Sequence, residues 1–133
     1  MAPNLYFLLI LSLSFLQFFF FGNTATNPPP MPPVNFIGRV GTKSSPVTIR
    51  CKVNVFQYIE RSIVNGQKFS ILPTNKDVYY CSAMWTRYFA GIQAFNRTRD
   101  GGHPSIFWKI NEEGFHLSYD NRKYVLDTPW ETD

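Results

Sequence analysis

The sequence predicts an all-β domain, a small antiparallel sandwich of about seven or eight strands behind an N-terminal signal peptide. Three observations lead there. Apolar and polar residues alternate through one segment, with Val47, Ile49, Cys51, Val53 and Val55 on one face and Thr48, Arg50, Lys52 and Asn54 on the other. Short apolar runs recur along the chain, separated by Gly, Pro and Asn. No window from Asn27 onward sustains the period of an amphipathic helix.

Size and charge narrow the field. The chain has 133 residues, room for one small domain. Charged residues make up 17% of it, below the roughly 25% of an average globular chain, and the first of them is Arg39. From that point the chain carries 13 Lys+Arg against 9 Asp+Glu, so the net charge of +4 belongs to its later part. A multidomain enzyme, a coiled coil and a charged disordered tail are excluded.

The elements follow in order. Leu5 to Phe21 is apolar apart from Ser12, Ser14 and Gln17, close to the lower limit of about 17 residues for crossing a bilayer. Small and polar residues follow, with Ala25 where a signal peptidase would cut. Residues 1–25 are expected to be a signal peptide, although no Lys or Arg precedes the apolar run; an uncleaved anchor is the alternative. Residues 26–33 are rich in proline, which fixes φ and donates no amide hydrogen, and they read as an extended spacer. The domain is expected over 34–133. Phe36 and Ile37 start a strand ended by Gly38 and Gly41, and the alternating segment 47–55 is the second. Residues 56–64 come nearest to a helical period but are too short to form a stable helix, and 56–66 reads as a loop. Phe69, Ile71 and Leu72 form the next strand, closed by Pro73. Residues 78–85 and 88–95 form a hairpin about Thr86 and Arg87, with Gly91 as a bulge or a point of close approach. Residues 105–110 and 115–119 form another about Asn111–Gly114, and 124–126 adds a last strand.

Candidate sites are few. Export would carry Cys51 and Cys81 into an oxidising compartment, where a bridge between them could form; two buried thiols are the alternative. Closing that loop would contribute on the order of 3–4 kcal/mol in the chain-entropy model. Asn96-Arg97-Thr98 is an N-glycosylation sequon in a polar stretch. Arg87, Arg97, Arg99 and His103 would form a basic partner-binding cluster if the 86–87 turn and the 96–104 loop share an end of the sheet. That charge favours an acidic partner, such as an anionic receptor loop or an acidic cell-wall polysaccharide, and falls short of what nucleic-acid binding needs. Tyr79, Trp85, Tyr88, Trp108 and Trp130 would be either core and rim or a sugar-stacking platform. His103 and His116 are the only candidates for acid–base catalysis, as in a secreted ribonuclease, and neither has a catalytic neighbourhood. Adjacent strand residues point apart, so Glu112 and Glu113 do not make a carboxylate pair. Spacings for metal ligands, a nucleophile elbow or a phosphate loop are absent, so no catalytic residue, metal or cofactor is expected.

The order of features is specific. Val47-Thr-Ile-Arg-Cys51-Lys52 is similar to a V-x-V-H-C-K strand, and Gly66-Gln-Lys-Phe69-Ser-Ile71 to G-x-x-F-x-F. Val78-Tyr-Tyr-Cys81 with Trp85 matches F-x-C-x-x-x-W. Phe107-Trp108-Lys-Ile-Asn-Glu-Glu-Gly114-Phe115 follows C-x-W-x-V-x-E-D-G-I/F, and Trp130 stands as the closing Trp. In this order the chain, over residues 34–131, resembles the plant self-incompatibility protein (S-protein homologue) family of small secreted β-proteins. It departs from the pattern in three places: the later two of the family's four cysteines are missing, Arg50 replaces the His of H-C, and Val53 to Ser62 replaces an acidic stretch. With two cysteines gone, the resemblance leaves the pairing of Cys51 and Cys81 open. It implies a secreted, non-enzymatic, extracellular glycoprotein ligand recognised by a cell-surface receptor or another extracellular protein through variable loops, here 56–66, 86–87, 96–104 and 111–114. A cell-wall carbohydrate-binding module is the alternative, and the ribonuclease a third.

Overall fold

The structure is a computed structural model that describes residues 31–132. The expected signal peptide, 1–25, and most of the spacer lie outside the described residues. The chain forms nine strands there: β1 Val34–Gly38, β2 Val47–Lys52, β3 Tyr58–Ile63, β4 Lys68–Ile71, β5 Val78–Trp85, β6 Tyr88–Asn96, β7 Ile106–Asn111, β8 Gly114–Ser118 and β9 Val125–Pro129. One helical turn, Arg97–Asp100, follows β6. A five-stranded sheet in the order β4-β1-β7-β8-β9 faces a four-stranded sheet in the order β3-β2-β5-β6. The all-β sandwich is as expected. Its strand count is higher, and one pair, β1 with β7, is parallel. Such a pair needs a long crossover. The chain supplies it by building the whole four-stranded sheet, with β4 inserted, between the two strands.

The core lies between the sheets. Phe36, Ile49, Tyr79, Ile106, Trp108, Ile110 and Phe115 are fully buried there. Trp108 on β7 donates its Nε1 hydrogen to Ala94 O on β6 at 3.0 Å, so a polar contact as well as packing ties the two layers. Cys51 and Cys81 are direct register partners on β2 and β5 with Cα atoms 4.1 Å apart, and they are joined as a disulfide. The bridge therefore staples two neighbouring strands of one sheet.

Four expectations need correction. Residues 56–66 are not a loop, because Tyr58–Ile63 is strand β3, paired along its length with β2. It is an edge strand with only Ile63 buried, so its residues had no alternation to show. Val53 and Val55 do not continue β2. The chain turns at 53–57, where Val53 N donates to Gln57 O and Asn54 Oδ1 accepts from Phe56 N, and Val55 is left outside. Gly91 is neither bulge nor close approach: it pairs with Ser82 above open space. The register shift falls opposite Tyr79 and Tyr80, and the extra residue, Ala94, lets Ala94 and Phe95 both be buried. Finally, the compact unit begins at Met31. Pro32 is buried and Pro33 O accepts from Ile106 N at 3.0 Å, so the end of the expected spacer belongs to the body.

The sandwich has two distinct ends. Turns 39–46, 64–67, 86–87 and 112–113 gather at one, and the 53–57, 72–77, 97–105 and 119–124 loops at the other.

Candidate functional site

The four residues expected to form a basic cluster are split between those ends. Arg87 occupies the β5–β6 turn, closed by Thr86 at φ 56°, and its guanidinium lies 5.4 Å from the Tyr88 ring. Arg97, Arg99 and His103 are at the opposite end. The nine residues of β6 intervene, which at about 3.3 Å per residue puts roughly 30 Å between the groups. The 111–114 turn shares the Arg87 end.

Arg99 serves the fold rather than the surface. Asn96 caps the helical turn, its Oδ1 accepting from Thr98 N at 3.0 Å and Arg99 N at 3.3 Å. Asp100, fully buried, reaches back to accept from Asn96 N at 2.7 Å, a reciprocal arrangement like a capping box. Arg99 grips the same carboxylate with Nε and Nη2, each at 2.7 Å, and Nη2 also donates to Gln93 O. Burial alone would lower the Arg99 pKa, but the Asp100 carboxylate outweighs it and the value is raised. Tyr119 donates to Asp100 Oδ1 at 2.5 Å; burial and then that hydrogen bond push its hydroxyl up to about 12. His103 stacks on the Tyr119 ring with centroids 3.7 Å apart. Arg97, by contrast, is exposed and meets an equally exposed Asp77 at 3.6 Å. Asp100 and Tyr119 escaped sequence reasoning. No local pattern pointed to them: Asp100 stands four residues after Asn96, one beyond the capping-box spacing.

The other sequence candidates are placed as follows. Asn96, the sequon residue, is half-buried and its Nδ2 donates to Gln93 Oε1 at 2.8 Å. His116 points outward from β8, with Nε2 3.0 Å from Asn111 Oδ1, and burial together with Lys109 lowers its pKa. Tyr119, and with it His103, belongs to the inward series Phe115, Leu117, Tyr119. The two histidines thus lie on opposite sides of the five-stranded sheet and do not form an acid–base pair. Of the aromatic set, Tyr79 and Trp108 are core. Trp85, Tyr88 and Trp130 are half-buried and gather about Trp85, with Tyr88 stacked on it at 5.6 Å and Trp130 tilted against it at 5.8 Å between centroids. Their indole hydrogens go to Ser44 Oγ and Asn111 O, both at 2.8 Å. Beside them Phe89 and Glu131 exchange backbone hydrogen bonds, so this group seals the seam between β6 and the C-terminal segment.

Two surfaces remain open. At the loop end, Phe56 is 92% and Val55 76% exposed on the hydrogen-bonded 53–57 turn. Leu72 stands exposed on the 72–77 loop, which leans on β2 through Thr74 Oγ1 to Lys52 O at 3.4 Å. Lys52, the last residue of β2, and Lys76, on the 72–77 loop, are exposed at the same end. The second surface is the outer face of the four-stranded sheet, where Arg50, Lys52, Tyr58, Tyr80 and Gln93 surround an open hollow of about 520 Å³. Among the described residues no cluster of His, Cys, Asp or Glu could hold a metal, and no helix is long and apolar enough to cross a membrane. No protein-family model, curated protein or solved structure matches the chain.

Proposed function

We propose that this chain is a secreted, non-enzymatic recognition protein of the plant self-incompatibility type, engaged by a cell-surface or other extracellular protein through the loops at the Phe56 end. One observation carries the reading: two apolar side chains, Val55 and Phe56, are held out to solvent by a turn whose own hydrogen bonds fix it. Covering such a side chain releases about 1.5–3 kcal/mol, so a rigid apolar tip favours a protein that buries it. Lys52 and Lys76, exposed at the same end, favour an acidic partner. The disulfide-tied sheet behind the turn lowers the ordering cost of binding.

The test is binding of labelled protein to intact plant cell surfaces. Val55→Ser with Phe56→Ser is expected to weaken it at least tenfold, in keeping with the burial free energy of those two side chains. Arg87→Glu, at the far end, is expected to leave it unchanged. Equal binding by the double variant would overturn the assignment, as would turnover of any substrate by pure protein. Charge reversal at Arg99 is no test of binding, because that residue holds buried Asp100.

A further inference from the structure

We infer that the hollow on the outer face of the four-stranded sheet is a binding site for an acidic sugar chain, with uronate carboxylates on Arg50 and Lys52 and sugar rings against Tyr58 and Tyr80. The assignment goes beyond the recognition reading and does not depend on it, since it uses only the geometry of this face.

The hollow exists because of two small residues. Arg50 on β2 pairs in register with Ser82 on β5, and Ser82 with Gly91 on β6, so one row across the sheet falls away from a cation to a hydroxymethyl and then to no side chain. A Cβ at Gly91 would meet nothing within 4 Å. The flanking residues rise above this floor: Tyr58 is 47% and Tyr80 53% exposed, with Gln93 in register beside Tyr80. At about 520 Å³ the space falls in the range of small-ligand sites, about 300–1,000 Å³.

Its chemistry is one-sided. Among the described residues no carboxylate comes within ion-pairing distance of Arg50 or Lys52. Glu60 is the register partner of Arg50 on β3, yet the guanidinium lies over the Tyr58 ring, 4.5 Å from its centroid. A stacked guanidinium keeps its in-plane N–H fork free, and that fork matches a carboxylate. An extended peptide is disfavoured. The ladders of β2 and β5 are paired on both sides, so the face offers side chains only and no backbone for strand addition. A uronate chain presents what those side chains can use: C–H faces for the two rings, hydroxyls for Gln93 and Ser82, and carboxylates for the two cations. The Cys51–Cys81 bridge joins the two central strands directly beneath, so the hollow is formed in advance.

The experiment is calorimetric titration of the purified protein with tetragalacturonate, with neutral tetragalactose and with polyglutamate. Tetragalacturonate is expected to bind, less tightly as salt rises, and the other two are not. Arg50→Ala with Lys52→Ala is expected to weaken binding about ten- to a hundredfold, the loss of one or two charged hydrogen bonds. Gly91→Tyr is expected to abolish it by filling the floor, while the melting temperature holds. Absence of tetragalacturonate binding by folded protein would overturn the site. So would equal binding of polyglutamate or tetragalactose, or full binding by folded Gly91→Tyr.

Discussion

Arg99 and Arg50 each lie close to an aromatic ring, 5.3 Å from Trp108 and 4.5 Å from Tyr58, and the fold uses them in opposite ways. Around Arg99 the chain supplies its own anion. Asp100 is buried, and guanidinium, tyrosyl hydroxyl and backbone amide all converge on it. The Arg50 guanidinium lies over the Tyr58 ring, and Glu60, its register partner on β3, makes no ion pair with it. The first region is satisfied and closed; in the second, Arg50 is exposed and makes no ion pair among the described residues. Arginine beside an aromatic ring therefore identifies neither scaffold nor site, and the position of the carboxylate decides.

The two outer faces repeat the contrast. On the five-stranded sheet the outward residues Ile37, His116 and Ser118 are buried, and Lys109 Nζ sits 4.8 Å from the ring of Tyr124, which comes from the β8–β9 loop. On the four-stranded sheet the outward residues Tyr58, Tyr80, Met84 and Phe89 are exposed, and no loop among the described residues folds over them.

Substitutions can break this comparison, the largest effect first. Asp100→Ala should leave Arg99 without its anion and cost roughly 2–4 kcal/mol in denaturant unfolding, somewhat below a fully buried pair because the Arg99 side chain is 26% exposed. Arg50→Ala should cost about 0.5 kcal/mol or less. Equal costs would erase the distinction. Replacing both cysteines by alanine should lower stability by about 2–4 kcal/mol and loosen the hollow, visible as faster amide exchange at Arg50 and Ser82. Unchanged exchange there would show that the bridge does not hold the open face.

A subtler outcome concerns the loop over the five-stranded sheet. The Asp120 carboxylate accepts from the amides of Lys123 and Arg122 and from Ser118 Oγ, which hold its pKa at about 2 against an ordinary 3.8. Because the folded value is depressed, its contribution is present above about pH 4 and lost as pH falls through 2. A carboxyl titration by NMR should place Asp120 near 2, and a midpoint near 3.8 would remove these bonds as the anchor of the loop. Smallest of all, Gly91→Ala should leave stability unchanged or raise it by about 0.5–1 kcal/mol, since strand glycine carries an entropic cost and the space is open. A clear loss in thermal melting would mean that the floor of the hollow is not free.

Legibility in the sequence followed the range of the forces involved. The two tight hairpins were readable because Thr86-Arg87 and Asn111–Gly114 are turns flanked by apolar runs, and turn chemistry acts over a few residues. Strand β2 was readable as far as Lys52, where alternation coincides with burial. Strand β3 was not, because Tyr58–Ile63 buries one residue and is a strand only because β2 offers its edge.

Local pattern in this protein thus determined the β class, most of the strands and the turn positions, since each depends on side chains two to four residues apart. Tertiary structure alone decided that Cys51 faces Cys81, that Arg87 and Arg97 stand at opposite ends, and that Arg99 is bound while Arg50 is open. Pairing across a sheet and burial between sheets depend on segments far apart in sequence, and no short window contains both partners.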